Sequence, residues 1–341
     1  MERQGGQRRQ AEPADESADG LALRLTAEEI QRYSRHLCLA GVGEEGQRRI
    51  RSARALVVGV GGLGSPVALY LAAAGVGGLG LADPDVVELS NLQRQIAHST
   101  GSLGVPKVES AMRRICDLNP GVRVEAMAVK LGPHNAAQLV TGYDVVVDAL
   151  DSLRDRFILS DACVAAGKPM VHGAVSGWMG EAMTYVPGRG PCYRCVFGGG
   201  ALARDAVAGD AAARDADGAT AIGDCTGAAE TPEDLGPLAP ERVGVLSSAP
   251  GVIGAIEATE VLKLITGAGE PLVGRLLLWD GMRMKFDQVE MMADPACSAC
   301  GTGGRDTDGR ETDGRGTGGR GTGGQERGGQ CHDRADNACR D

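Results

Sequence analysis

The chain has 341 residues, 43% of them hydrophobic, which is enough material for a sizeable core and for one large or two small domains. A formal net charge of −10 excludes a broad nucleic-acid surface, and no basic amphipathic stretch offers itself to a membrane. Ten cysteines without a secretory leader point to a reducing cytoplasm, where thiols serve metals or chemistry rather than disulfides.

Residues 1–25 are polar and lack an apolar period, which predicts a disordered arm. Thr26 and Glu29 have capping-box spacing, so order is expected to begin there, with a helix carrying Tyr33, Arg35, His36 and Leu37. Taken alone, Arg35 reads as a solvated helical charge. Glycines at 41, 43 and 46 then break the chain before a short basic helix.

Residues 55–82 carry no charge and end on Asp83. Such a stretch is long enough to span a bilayer, but its eight glycines and one proline argue instead for a βαβ unit. The expected parts are a strand at 55–58, a turn with Gly59, Gly61, Gly62 and Gly64, a helix at 66–74 and a strand at 79–82. Ser65 is expected to cap the helix, Pro66 to open it and Gly75 to take a left-handed exit. Glycines at a helix N-terminus let the backbone approach an anion, so a nucleotide phosphate fits there. Asp83 lies 19 residues beyond Gly64, where an acidic side chain in such a unit meets ribose hydroxyls.

A polar segment from Pro84 through Asp85, Asn91, Gln93, Arg94 and Gln95 follows the second strand. Pro106 and Lys107 open a helix whose apolar face is Val108, Met112, Ile115 and Leu118. A cation in the first turn opposes the helix dipole, so Lys107 is an odd choice there unless an anion is bound. Residues 122–128 alternate as a strand, 133–140 form a short helix, and the three valines before Asp148 predict a strand buried on both faces of a parallel sheet. Asp151 falls just past that strand, at the edge where open α/β sheets bind ligands, although a lone Asp there more often caps the next helix, here the one through Phe157 and Val164. Strands are expected at 170–174 and 181–186. Residues 199–242, rich in Ala, Gly and Asp, read as a flexible acidic insertion. A helix at 253–265 and strands at 275–279 and 284–289 follow, and the glycine- and arginine-rich residues 301–341 read as a disordered tail. The fold class is α/β with a mainly parallel sheet.

The pairs Cys192/Cys195 and Cys297/Cys300 are separated by 101 residues, far beyond a local zinc finger. A lone pair of this spacing can be redox-active, whereas two pairs in a cytosolic chain favour one closed, structural thiolate zinc site.

Together, Arg32-Tyr-Ser-Arg35-His36, the Gly59-x-Gly61-Gly62-x-Gly64 loop, Asp83-x-Asp85, Ser90-Asn91-Leu-Gln-Arg94-Gln95, Pro106-Lys107-Val-Glu and the paired cysteines resemble the ThiF/MoeB/HesA family, relatives of ubiquitin-activating enzymes. The resemblance covers about residues 26–300. It implies a Rossmann-like ATP-binding domain extended by further strands and a four-cysteine zinc site. The implied activity is adenylation, with release of pyrophosphate, of the C-terminal glycine of a small ubiquitin-like sulfur-carrier protein ending in Gly-Gly, for molybdopterin, thiamin or related biosynthesis. ATP is then the co-substrate and Mg2+ the cofactor. Asp83 would hold the ribose, Asn91, Arg94 and Lys107 the triphosphate, and Asp151 the magnesium, with Asp85 and Gln95 in the same nucleotide-binding motifs. Arg35 would reach the nucleotide of the partner subunit in a homodimer.

Two departures stand out. The family usually has Asp-x-Thr-Asp-Asn where this chain has Asp148-Ala-Leu150-Asp151-Ser152, losing two polar neighbours of the acid, which is expected to lower metal affinity. A cysteine that many members carry four residues before Gly-Val-Leu is Pro240 here, and the nearest upstream cysteine, Cys225, sits in acidic surroundings that disfavour its thiolate. Without a rhodanese domain, sulfur would come from a separate donor such as a cysteine desulfurase or rhodanese. Two rival readings compete: an NAD-dependent dehydrogenase, which leaves Arg94, Lys107 and the cysteines without a role, and a non-catalytic zinc-stabilised nucleotide-binding scaffold, for which the Leu150 and Ser152 departures leave room.

Overall fold

Thr26 opens the structure as expected. Its hydroxyl accepts from the Glu29 N–H at 3.2 Å while its own N–H donates to the Glu29 carboxylate at 2.7 Å, capping α1 (Ala27–Arg32). The computed structural model describes residues 24–198 and 244–301, so residues 1–23 of the expected arm, the expected acidic insertion with Cys225 and Pro240, and the expected tail from 302 lie outside the described residues, while Leu25, expected to belong to the arm, is buried. The expected first helix is interrupted at Tyr33 and resumes as α2 (Ser34–Leu37), which carries Arg35. After it, α3 (Gly43–Ser52) sends Ile50 into the core and leads to β1 (Arg54–Val58).

The charge-free stretch forms the βαβ unit: β1, α4 (Gly64–Ala74) and β2 (Gly78–Ala82), with Gly75 ending α4 at φ 86°. Ser65 does not cap the helix. The Ser65 N–H already donates to the Gly61 carbonyl at 3.0 Å, so the helix begins inside the glycine loop and Ser65 lies within its first turn, its hydroxyl buried without a partner. The N-terminal N–H groups of α4 therefore have no side-chain cap.

The chain continues through α5 (Lys107–Leu118), β3 (Arg123–Met127), α6 (Ala136–Thr141), β4 (Val145–Asp148), α7 (Leu153–Ala165), β5 (Met170–Ser176), β6 (Met179–Tyr185), α8 (Tyr193–Phe197), α9 (Ala249–Thr266), β7 (Arg275–Asp280) and β8 (Lys285–Glu290). The strands form one eight-stranded sheet in the order β3-β2-β1-β4-β5-β6-β7-β8, parallel from β3 to β5 and antiparallel from β5 to β8. Because strand side chains alternate, Val57, Leu79 and Val147 pack with Leu71 of α4, Ile115 of α5 and Val261 of α9, while Leu56, Val58 and Val146 pack with Val140 of α6, Leu159 of α7 and Tyr193 of α8. Each fully buried Leu or Val contributes about 1.5–3 kcal/mol, and this two-sided burial places β1, β2 and β4 at the centre with their C-terminal ends on one edge. Among the described residues, no helix is long and apolar enough to cross a membrane.

Among the buried ionisable groups, Glu257 stands without a partner among the described residues. Glu257 of α9 is fully buried against Gly173 of β5, where any Cβ would strike its carboxyl group, and neither carboxyl oxygen has a hydrogen-bond partner. Burial, reinforced by Asp148, raises its pKa well above the ordinary carboxylate value. The folded protein thus keeps a proton that the unfolded chain loses, so Glu257 makes stability fall as pH rises above about 4.3, by at most about 1.4 kcal/mol per pH unit. Glu257→Gln removes that slope. The melting temperature of the variant relative to wild type is expected to rise steadily from pH 5 to pH 8; a difference independent of pH would show that Glu257 is ionised in the fold.

Candidate active site

The C-terminal ends of β1 to β4 open on a cavity of about 580 Å³. Its walls bring together the sequence-predicted Gly59, Gly61 and Gly62, then Asp83 and Asp85, then Arg94, Gln95, Lys107 and Asp151. Three predicted residues do not line it. Gly64 sits behind the loop, where a Cβ would collide with the Gly59 carbonyl. Asn91 closes a short turn (Leu89–Asn91), its Oδ1 accepting from the Glu88 N–H at 3.2 Å. Arg35 is exposed on α2, away from the cavity of its own chain.

The glycine loop is held through both backbone groups of one residue, Val60. The Val60 N–H donates to Asp83 Oδ2 at 2.7 Å, and the Val60 carbonyl lies 3.0 Å from His98 Nε2. A carbonyl only accepts, so His98 carries its proton on Nε2, and Nδ1 meets the Ser110 hydroxyl at 3.0 Å. Burial, aided by Lys107, lowers the His98 pKa against the pull of the Val60 bond and Asp83, so the ring is neutral at pH 7. The other Asp83 oxygen accepts from the Asp85 N–H at 2.9 Å, and burial raises the Asp83 pKa more than Lys107 and the two N–H groups lower it. Lys107 pairs within the chain: its Nζ meets Asp85 Oδ2 at 2.8 Å, with the lysine side chain 8% exposed and the aspartate 62% exposed. Gln95 is buried in the wall with its Oε1 unpartnered.

Across the cavity, the turn after β4 is held in the same way. The Leu150 N–H donates to Asp148 Oδ1 at 3.2 Å, and its carbonyl accepts from Arg156 Nε at 3.1 Å and Nη2 at 2.6 Å. Ser152 caps α7, its hydroxyl accepting from the Asp155 N–H, so Asp151 is not the helix cap. Its carboxylate is exposed at the cavity and makes no hydrogen bond or ion pair among the described residues. Below the turn, fully buried His172 donates from Nδ1 to Asp148 Oδ2 at 2.8 Å, with Nε2 3.5 Å from Glu181. Burial acts to lower the His172 pKa, and these two carboxylates outweigh it.

At the far end of the domain the four cysteines meet, all Sγ atoms lying within 4.8 Å of one another. Cys192 Sγ is 3.7 Å from those of Cys195 and Cys297, and Cys195 Sγ is 3.4 Å from that of Cys300. These separations are too long for disulfides and close to the ~3.8 Å edge of a tetrahedron with ~2.3 Å zinc–sulfur bonds. Burial acts to raise the Cys297 pKa, but the Cys300 and Ala299 N–H groups bring it down to about 7, whereas burial raises those of Cys192 and Cys195.

The profile of the ThiF family matches residues 33–299. The chain belongs to the ThiF family. It is 42% identical to the SAMP-activating enzyme E1 of Haloferax volcanii over 84% of this chain and 94% of that one. It is 39% identical to the sulfur carrier protein adenylyltransferase of Thermus thermophilus, over 82% and 93% of the two chains. A relative from Zea mays, adenylyltransferase and sulfurtransferase MOCS3-1, is 41% identical over 81% of this chain but only 53% of its own, so this chain spans about half its length. Among solved structures, Escherichia coli MccB, crystallised with ATP, shares the fold with a TM-score of 0.61, 22% identity and coverage of 79% of this chain and 74% of that one.

The ThiF-family motifs do not contain every residue of the cavity. Lys130 lines it from the segment after β3, and Asp155 and Arg156 line it from the first turn of α7. Lys130 had a signal, since it follows a strand at the ligand edge of the sheet. Arg156 and His98 had none, because each is committed to a carbonyl brought close by the fold. At the two departures from the family pattern, Leu150 is held by its backbone N–H and carbonyl while its side chain packs in the core, and Ser152 serves as a cap. Gly64→Ala forces the loop away from Gly59 and is expected to weaken ATP binding by about 100-fold or more while the protein stays folded, since backbone position is what the loop supplies. Gly251→Ala, in α9 with open space around its Cβ position, is the control, expected to bind ATP as wild type. Calorimetric titration with ATP of both variants checks the pair.

Proposed function

We propose that this protein is an ATP- and Mg2+-dependent adenylyltransferase acting on the C-terminal glycine of a small ubiquitin-like sulfur-carrier protein of the type that ends in Gly-Gly. The observation that carries the reading is one cavity that brings together a glycine loop, the cations Arg94 and Lys107 and the carboxylate of Asp151, which is unengaged among the described residues. Relatives named as adenylyltransferases favour it over the dehydrogenase and scaffold readings.

In this reaction a carboxylate oxygen of the carrier attacks the α-phosphorus of ATP, the bond to the β-phosphate oxygen breaks, and pyrophosphate leaves behind an acyl-adenylate. The nucleophile belongs to the substrate, so the site supplies positioning and charge neutralisation. Arg94 and Lys107, with Lys130 at the mouth, oppose the triphosphate charge, and Asp85 keeps Lys107 on the cavity wall. Asp83 holds the glycine loop and faces the ribose. Asp151 offers the kind of hard oxygen donor that Mg2+ takes together with substrate phosphates and water, and Mg2+ so held would neutralise phosphate charge. Arg35, remote from its own cavity, fits a role at the nucleotide of a second subunit in a homodimer. The carrier feeds molybdopterin, thiamin or related sulfur transfer, the sulfur coming from a separate donor, in the reducing cytoplasm that the free thiols of the described cysteines suit.

ATP–pyrophosphate exchange is expected only with carriers ending in Gly-Gly and not after removal of the last glycine. Asp151→Asn should lower it by about 100-fold or more with an unchanged melting temperature, because a phosphate-charge-neutralising site is lost and no core contact is. Exchange at the wild-type rate would exclude Asp151 from the site.

The four thiols fit one Zn2+ per chain, which would pin the segment after β6 to the end of the domain. Metal analysis should find one zinc per chain, and Cys300→Ser should lower the melting temperature by about 5 °C or more, since closed thiolate sites contribute directly to folding. Zinc-free protein of unchanged stability would refute the site.

A further inference from the structure

Arg156 has no part in the chemistry assigned above, yet it is an unusual side chain of the domain. It is a helical arginine only 6% exposed, and two of its donors converge on one backbone oxygen, that of Leu150. Burying a guanidinium costs several kcal/mol unless it is compensated. Here Asp148, Glu181 and the Tyr193 hydroxyl supply the compensation against burial. The surroundings are stiff: the Tyr193 ring lies edge-on to His172 at 4.8 Å and to Phe157 at 5.2 Å, and His172 is itself tied to Asp148. Asp148 is fully buried and holds the N–H of the same Leu150 whose carbonyl Arg156 holds. Leu150 precedes Asp151, so holding its carbonyl fixes the plane of the peptide that joins the two residues and with it the position of the Asp151 Cα.

We propose that Arg156 is a positioning residue of the adenylation reaction: by gripping the Leu150 carbonyl opposite Asp148, it sets the Asp151 carboxylate in place for the divalent cation at the cavity edge. The inference rests on the reading of Asp151 as the Mg2+ ligand. A side chain that merely braces the core would change stability and leave metal affinity alone, whereas outer partners of metal ligands commonly change affinity by about 10–100-fold.

The test uses the full chain, Mn2+ as a paramagnetic stand-in for Mg2+, and the non-hydrolysable analogue AMPCPP. Mn2+ affinity is read by electron paramagnetic resonance with AMPCPP bound, AMPCPP affinity by calorimetry in chelator, and folding by thermal melting, for wild type, Arg156→Lys and Asp151→Asn. Lysine keeps the buried charge and removes the converging pair of donors. Arg156→Lys is expected to weaken Mn2+ by about 10-fold while AMPCPP affinity in chelator stays within about twofold. Wild-type Mn2+ affinity in Arg156→Lys, with Asp151→Asn impaired, overturns the positioning role and leaves the Asp151 reading standing. Wild-type affinity in Asp151→Asn overturns both. If Arg156→Lys loses its cooperative melt, Arg156→Gln, which keeps one donor to the carbonyl, is read in the same way, and loss of fold in both variants assigns Arg156 to the core and overturns the proposal.

Discussion

Two loops face each other across the cavity, and each is fastened at a single residue whose backbone N–H and carbonyl are both held. On the β1 side Asp83 takes the Val60 N–H and His98 faces its carbonyl; on the β4 side Asp148 takes the Leu150 N–H and Arg156 the carbonyl. A sheet satisfies backbone groups only as far as its strands run, and a buried peptide beyond that point must find other partners. Here acids at or just past the ends of β2 and β4 serve both loops. The cavity therefore has a backbone shape that is set before any ligand arrives, as electrostatic preorganisation demands.

That arrangement places charge where it is costly. Asp148 and His172 are fully buried, and Asp83 and Arg156 nearly so. The solution is pairing: Asp148 meets both His172 and the Leu150 N–H, while both Asp83 oxygens accept backbone donors. The charges left for a ligand stand nearer solvent, with Asp151 exposed and Arg94 and Lys130 at the cavity wall. Groups that set geometry are thus inside, and groups that meet phosphate are at the rim.

The cluster of four cysteines belongs to the same construction. Cys192 begins α8, and the next residue, Tyr193, is packed between His172 and Phe197 under the β4 turn. One hydrophobic face of the sheet therefore contains both the cysteine knuckle and the support of the Asp151 turn. Glu257 lies on the opposite side of β5, where Gly173 admits it, and its unpartnered carboxyl shows that the second face tolerates a neutral acid.

The α/β class, the βαβ unit, the parallel strands of the centre and most cavity residues were legible in the chain itself, because glycine spacing, valine runs and capping pairs act over a few residues. Thr26 with Glu29, Gly75 and the strand before Asp151 are of this kind. Tertiary structure decided what depends on partners remote in sequence. Ser65 has the local setting of a cap, but the glycine loop starts the helix earlier; Asp151 has a similar setting, but Ser152 takes that task and frees it. Lys107 called for an anion, and only the return of the chain past Asp85 supplied it, 22 residues away. Arg156 and His98 have partners only because folding brings two loop carbonyls against them, and the cysteine pairs became one site only when the last strands delivered Cys297 and Cys300 to Cys192 and Cys195. Local periodicity specifies which segments are buried, whereas the partner of a buried polar group is set by whichever segment the packed sheet carries to it.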